Sequence, residues 1–411
     1  MLDRWISFAL IAGVVSSLLS IAVSEICFGI AILLWVADCW KSREFRLKIP
    51  PFTPFLLAFF VAVLISIAFS TDVLGSIPYL KKFIKFLYIF LIFTYLNRER
   101  VEFALKAMFG VLGISAVYGV LQYFWLWEVN LLNRIEGFMS HWMTFSGQLM
   151  LVSVALAGYL LLYRLPSTST GEERKTPQEA SRGKKWSPLD ILPIGAWGML
   201  LALFLFVLVL TQTRSTWLGT LGGLFLLLAV YRVRWLVTGV VLLVVVFLAL
   251  PSGFKERFYS SFDPTDTTTR VRIELFLTGK NIIVAHPWTG LGPSMVSRHY
   301  HDYNGTDEFP SWIYQHLHNN FLHIGAEMGV ITLLIWVALW VRLFWDFVGF
   351  VRGQPSDRFL YCIAMSGVGV LAAFLLAGLF EYNFGDSEIL ILLLFFITIP
   401  YVVHDEQEKG A

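Results

Sequence analysis

Long apolar runs separated by short polar breaks make up most of the chain. A membrane-crossing helix needs about 20 mostly apolar residues, with roughly 17 to 25 tolerated. On that criterion the runs predict about twelve spans, centred near residues 13, 31, 62, 90, 113, 153, 201, 223, 243, 333, 369 and 395. The first two share one apolar stretch broken only by Ser24 and Glu25. Only Arg4 precedes that stretch as a basic residue and a second run follows almost at once, so it reads as an uncleaved anchor instead of a signal peptide. The expectation is an all-α integral membrane protein.

The polar breaks set the organisation. Residues 1–250 hold spans one to nine, 251–317 form a long extracytoplasmic loop domain between the ninth and tenth spans, and 318–411 hold the last three spans with a short cytoplasmic tail. Lys and Arg in short loops mark the cytoplasmic side. With the N-terminus inside, that side collects Lys41, Arg43, Arg46, Lys48, Arg98, Arg100, Arg232, Arg234, Arg352 and Arg358. An even span number puts both termini in the cytoplasm. Residues 166–185, rich in Ser, Thr, Glu and Lys with no apolar period, read as a disordered cytoplasmic loop. The loop domain differs, because Trp288, Tyr300, Trp312 and Tyr314 let it order itself against the membrane domain.

Composition agrees and narrows the classes. The 411 residues are 57% hydrophobic and 15% charged, well below the roughly one quarter charged of an average soluble protein. Mean hydropathy is +0.69, which excludes an ordinary soluble enzyme. A net charge of +2 gives no bulk basicity for holding nucleic acid. Cys27, Cys39 and Cys362 are too scattered for a disulfide framework and read as packed thiols. No tandem repeat and no inverted pair of half-chains is evident.

Short outer loops should be poor in Lys and Arg, so the exceptions carry information. Arg134 precedes the sixth span, and Arg214 sits in the hydroxyl-rich turn Thr211-Gln212-Thr213-Arg214-Ser215-Thr216 between the seventh and eighth. A lone interfacial Arg often snorkels to the headgroups. Guanidinium groups also pair bidentately with phosphate oxygens, the reading favoured for Arg214. Arg270 and Arg272 begin an amphipathic pattern with Ile273, Phe276, Leu277, Ile282 and Ile283 on the apolar side, which leaves open a merely solvated face. Pro287-Trp288-Thr289-Gly290-Leu291-Gly292-Pro293 ends that helix; its glycines allow positive φ and close approach, a weak phosphate-cradle signal.

Of the 8 histidines, His286, His299, His301, His316, His318 and His323 crowd into one stretch. The pairs at 299/301 and 316/318 offer imidazoles to a metal. An i, i+2 pair is poor helical spacing for one ion, however, and no H-E-x-x-H arrangement is present, so no metal or other cofactor is expected. A single functional His at the start of the tenth span is the better reading, where a neutral imidazole acts as general base near pH 7.

These residues together resemble the bacterial O-antigen ligase and O-antigen polymerase superfamily, multispanning inner-membrane glycosyltransferases of the GT-C kind. His316-Leu317-His318-Asn319-Asn320-Phe321-Leu322, followed by Gly325-Ala326-Glu327-Met328-Gly329, looks like the family's H-x-H-N-x-x-L element. Arg214-Ser215-Thr216-Trp217-Leu218 is similar to its R-x-x-x-L signature. Arg272 through Pro293 resembles the helix ending in h-P-h-x-G-h-G-P, and Arg134-Ile135-Glu136-Gly137-Phe138 with Thr144-Phe145 resembles an earlier loop motif. Some ligases continue as H-N-x9-G-x-x-G. Here Gly329 fits and Thr332 replaces the second glycine, which loosens the choice of ligase over polymerase.

The resemblance implies transfer of a glycan from undecaprenyl pyrophosphate to a sugar hydroxyl of lipid A-core at the periplasmic face. His318 would be the base and Arg214 the main charge stabiliser. Arg134, Arg270 and Arg272 would help bind pyrophosphate, and His316, Asn319, Glu381 and Asp386 would lie behind them. His316 and Asn319 would orient His318 or merely cap and pack the helix start; Glu381 and Asp386 would steady an Arg or the His. The rivals are O-antigen polymerase, with a lipid-linked glycan as acceptor, and a protein O-oligosaccharyltransferase. A transporter of lipid-linked sugars is the non-enzymatic alternative, against which the charged residues gather at the outer mouth instead of at mid-span.

Overall fold

The computed structural model describes residues 2–125, 134–164, 193–232, 237, 239–241, 244, 248, 252–260, 263, 265–304, 315–353 and 357–410. The expected loop at 166–185, the centre of the ninth span, Trp312 and Tyr314 lie outside the described residues. The helices are α1 (Leu2–Ser16), α2 (Ile21–Ser42), α3 (Thr53–Ala68), α4 (Val73–Ser76), α5 (Lys81–Tyr95), α6 (Arg98–Trp125), α7 (Trp142–Gly158) and α8 (Ile194–Leu210). They continue with α9 (Arg214–Arg232), α10 (Ser252–Tyr259), α11 (Thr267–Ala285), α12 (Val296–Tyr303), α13 (Asn320–Gly353), α14 (Arg358–Ala377) and α15 (Ser387–Gly410). No strand occurs among the described residues.

Among the described residues, six helices are long and apolar enough to cross a membrane: α2, α6, α7 with its extension to Leu162, α13, α14 and α15. The apolar helices α3 and α8 are shorter. Apart from residue 243, each expected span centre falls inside a described helix. Large apolar side chains such as Phe8, Leu33, Trp40, Leu57, Ile114 and Phe206 stay on the outside of the bundle. Helices apolar on both their inner and outer faces belong in lipid, and the chain is a multi-pass membrane protein.

At the centre, α7 is buried on every side from Phe145 to Gly158. It packs with α14, which in turn contacts α9, α13 and α15. Small residues make the closest seam: a Cβ on Gly219 would stand 2.5 Å from the Ala373 carbonyl oxygen, and one on Gly223 2.8 Å from that of Gly369. Lipid tails are as apolar as side chains, so membrane helices gain mainly from such close backbone approach. Cys362 is buried, whereas Cys27 and Cys39 are only half-buried; all three are free thiols.

The loop between α11 and α12 positions the site by docking into a break in α13. Gly329 leaves helical geometry with φ 82° and ψ 166°. The freed backbone groups pair across: Leu291 N–H donates to Ala326 O at 3.0 Å, Gly292 N–H to Glu327 O at 2.8 Å, and Val330 N–H to Pro287 O at 2.8 Å. Thr332, standing where some ligases have glycine, donates its hydroxyl to Met328 O at 2.8 Å. Gly290 and Gly292 both have positive φ, 66° and 109°. A side chain on Gly290 would strike the Glu327 backbone and one on Gly292 would strike Ser70. These glycines therefore serve a protein–protein close approach, which displaces the phosphate-cradle reading.

A second small core of Leu275, Ile282, Leu291, Met295, Val296, Tyr300, Leu317 and Ala326 ties α11, α12 and the loops to α13. It corrects the expected apolar side of α11. The buried residues of that helix are Leu275, Thr278, Gly279 and Ile282, whereas Ile273, Phe276 and Leu277 are about half exposed. The helix is apolar on two sides, and α13 covers the one that carries the small residues able to approach it closely.

Candidate active site

Residues 316–319 enter α13 without helical structure, which lets His316 and His318 converge although they are two apart. Leu317 between them is buried in the small core. His318 is held at φ 45°, a left-handed conformation uncommon outside glycine, in which Asn, Asp and His are enriched. Strain of this kind persists only where the surroundings enforce it. The enforcing partner is Glu381, in the turn between α14 and α15: His318 Nδ1 lies 3.1 and 3.0 Å from its two carboxylate oxygens. The same carboxylate accepts the Tyr382 N–H at 3.1 Å.

Burial works to raise the Glu381 carboxyl, but His318, His316 and Arg272 outweigh it and hold it down at about 2. An ionised carboxylate only accepts, so Nδ1 carries the hydrogen of this bond and, in the neutral ring, Nε2 is the nitrogen with the lone pair. His316 stacks edge-on against His318 with ring centres 4.2 Å apart. Burial, opposed by the Glu381 charge, pushes His316 down to about 4, so it stays neutral at physiological pH. The donor atoms of His316, His318 and Glu381 lie within 4.8 Å of one another, a spacing that a cation would also accept. The helical-spacing objection to an i, i+2 pair thus loses its force, because this segment is not helical.

Asn319 caps α13, its Oδ1 accepting Leu322 N–H at 2.9 Å while its Nδ2 donates to Leu379 O at 2.8 Å. Capping is the role the contacts give it. Asp386 likewise caps α15 through Glu388 N–H and accepts the Thr144 hydroxyl at 2.6 Å. Among the described residues Asp386 makes no hydrogen bond or ion pair with an Arg or with His318; of the two acidic candidates, Glu381 is the one on the histidine.

The arginines gather at the ends of α8, α9 and α11. Arg134 stands 5.2 Å over the Trp142 ring and donates weakly to Gln212 O at 3.5 Å. Arg214, the first residue of α9, donates to the Ser260 hydroxyl at 2.6 Å. The Nε atoms of Arg134 and Arg214 are both buried without a hydrogen-bond partner among the described residues. Burial, reinforced by the nearby Arg214 charge, pushes Arg134 down to about 10. Two neighbouring cations with unspent donors have the chemistry to bind an anion. Arg272 donates to Phe380 O at 2.7 Å, next to Glu381. Arg270 is exposed on the first turns of α11.

A cavity of about 440 Å³ lies beside these groups, lined by Thr213 and Ser215 on either side of Arg214, by His141 and Thr144 at the start of α7, and by His316, Glu381 and Asp386; His318, Asn319 and the four arginines are not among its lining residues. It also takes in Tyr79, Lys82, His323, Glu327 and Tyr382, which sequence reasoning passes over as site residues. His323 Nε2 lies 3.4 Å from the Glu327 carboxylate within α13, and Lys82 sits 4.7 Å over the Tyr79 ring. Signals existed for both. A His and a Glu four apart in an apolar helix are costly unless used, and Lys81-Lys82 with Lys85 breaks the scarcity of basic residues expected in that loop and span entrance. His286 pairs with the Tyr303 hydroxyl, and His299 with Thr71 and Asp302, so these two stand apart from the 316–323 group.

Fold and site define a helical membrane protein with a polar cavity, a carboxylate-held histidine and arginines whose donors are only partly used. Residues 199–337 match the family model described as O-Antigen ligase, from α8 into α13, and the match bears out the resemblance to the O-antigen ligase and O-antigen polymerase superfamily. The matched stretch contains Arg214, Arg270, Arg272, His316, His318 and Asn319 and leaves Arg134, Glu381 and Asp386 outside. No curated protein matches the chain.

Proposed function

We propose that the protein is an O-antigen ligase of the bacterial inner membrane, with about twelve spans, both termini cytoplasmic and the cavity open to the periplasm. It moves a glycan from undecaprenyl pyrophosphate to a sugar hydroxyl of lipid A-core. The observation that carries this reading is the His318–Glu381 pair, whose Nδ1 contact leaves Nε2 to take the proton, with Arg134 and Arg214 assigned to the leaving group.

In the reaction the acceptor hydroxyl oxygen bonds the anomeric carbon as the bond from that carbon to the pyrophosphate oxygen breaks. The hydroxyl proton passes to His318 Nε2, and undecaprenyl pyrophosphate departs with the electron pair. Glu381 stabilises the imidazolium that forms, the role a carboxylate plays behind a catalytic histidine. Arg214 and Arg134, with Arg272 behind Glu381, neutralise the charge growing on the pyrophosphate, so the step requires no metal. A single displacement inverts the anomeric centre.

The test is a gel profile of lipopolysaccharide from a deletion strain with the intact gene or the His318→Ala form returned. Core without O-antigen in the deletion, restored only by the intact gene, is the expected result. Core capped with a single repeat unit would assign the protein to polymerisation, and an unchanged ladder would remove it from the pathway.

A further inference from the structure

Two buried ionisable residues take no part in the transfer step. His323 and Glu327, 3% and 2% exposed, lie four apart on α13 and line the cavity. Such groups are costly inside a membrane helix and mark function where they persist. His323 Nε2 faces the Glu327 carboxylate at 3.4 Å. The other ring nitrogen, Nδ1, accepts the Leu317 N–H at 3.5 Å. In the neutral ring Nδ1 therefore has the lone pair, and the hydrogen sits on Nε2, toward the carboxylate.

The contact to Leu317 falls on the residue just before His318. The His318 N–H in turn donates to His316 Nδ1 at 3.3 Å, so both peptide groups leading into the left-handed residue are tied to imidazoles. The His323 ring also packs against Tyr382, with ring centres 3.9 Å apart, and the Tyr382 N–H donates to Glu381. One ring thus touches the segment that carries His318 and the segment that carries its carboxylate. Glu327 extends the link to the docked loop. Its carboxylate accepts the Val296 N–H at 3.5 Å and its carbonyl oxygen accepts the Gly292 N–H at 2.8 Å.

Resting on the function proposed above, we infer that His323 is a positioning residue: oriented by Glu327, it holds the Leu317 backbone so that His318 stays in register with Glu381. Two substitutions separate this role from mere partnering of a buried charge. His323→Asn puts an amide oxygen where Nδ1 stood, able to accept from Leu317, and gives up the reach to Glu327. His323→Gln puts its amide near the place of Nε2, able to donate to Glu327, and leaves the Leu317 N–H without its acceptor. Purified protein is given an undecaprenyl-pyrophosphate glycan and lipid A-core. His323→Gln should lower kcat about 10²-fold, the order that a misplacement of about 1 Å costs, with both KM values unchanged, whereas His323→Asn should keep most of the wild-type kcat. The reverse order, equal losses in both, or wild-type rates in both would overturn the assignment.

A second readout does not depend on turnover. Magnetic resonance of protein carrying isotope-labelled histidine reports the tautomer of each neutral ring, and His318 is identified by the signal missing from His318→Asn. That ring should hold its hydrogen on Nδ1 in the wild type and in His323→Asn, and should divide between tautomers in His323→Gln. A His318 signal unaltered in His323→Gln would overturn the assignment. The expected pattern in a protein whose wild type transfers no glycan would instead sustain the positioning role and sink the ligase reading.

Discussion

Replacing His318 with alanine lowers transfer to lipid A-core by about 10²- to 10⁴-fold, the usual worth of a positioned general base, while the protein still inserts. The base has no substitute within the same geometry. His316 is the nearest imidazole, but burial holds it at about 4, too weak a base to take the proton efficiently near neutral pH. The left-handed backbone at 318 complicates an alanine variant, since part of any loss could reflect strain relieved or redistributed. His318→Asn separates the effects, because Asn tolerates that conformation yet offers no base. Both variants should be inactive and only the Ala form should lose thermal stability in detergent. Near-normal transfer by either variant removes His318 from the chemistry.

Arg214→Ala and Arg134→Ala each lower kcat by about 10²- to 10³-fold, the cost of losing one preorganised donor to developing charge. The two guanidinium groups act on one anion, so the double variant should lose less than the product of the single losses. Arg214→Lys should recover only part, because an ammonium lacks the fork that meets two phosphate oxygens at once. Removing either arginine also relieves repulsion between them, so stability should hold or rise while activity falls. Full additivity, or activity retained in Arg214→Ala, would place the anion elsewhere.

The fold was largely legible because apolar runs of span length admit few alternatives, and the expected centres other than residue 243, which lies outside the described residues, land in helices. The interruption at Gly329 was not, since Gly325-Ala326-Glu327-Met328-Gly329 continues an apolar helical pattern. Only the docking of residues 287–292 offers the backbone partners that make the break tolerable. The site divided similarly. His318 and Arg214 stood out as charged or titratable residues beside lipid, a signal local to the sequence. That Glu381 grips His318 could not be read, because the two are 63 positions apart and Asp386 was an equally good acid. Asn319 and Asp386 turned out to be helix caps, roles their positions just before α13 and α15 would have suggested had the helix starts been known. Lys82 lies in the first turn of α5 and reaches the site only through the tertiary packing of the bundle.

The most direct measurement is transfer by the purified protein from a defined undecaprenyl-pyrophosphate glycan to lipid A-core, with EDTA present throughout. The account predicts glycosylated core and released undecaprenyl pyrophosphate at the rate seen without EDTA. A rate that collapses on chelation and returns with one divalent ion would contradict it, and would make His316, His318 and Glu381 the ligands of that ion instead of a base and its support.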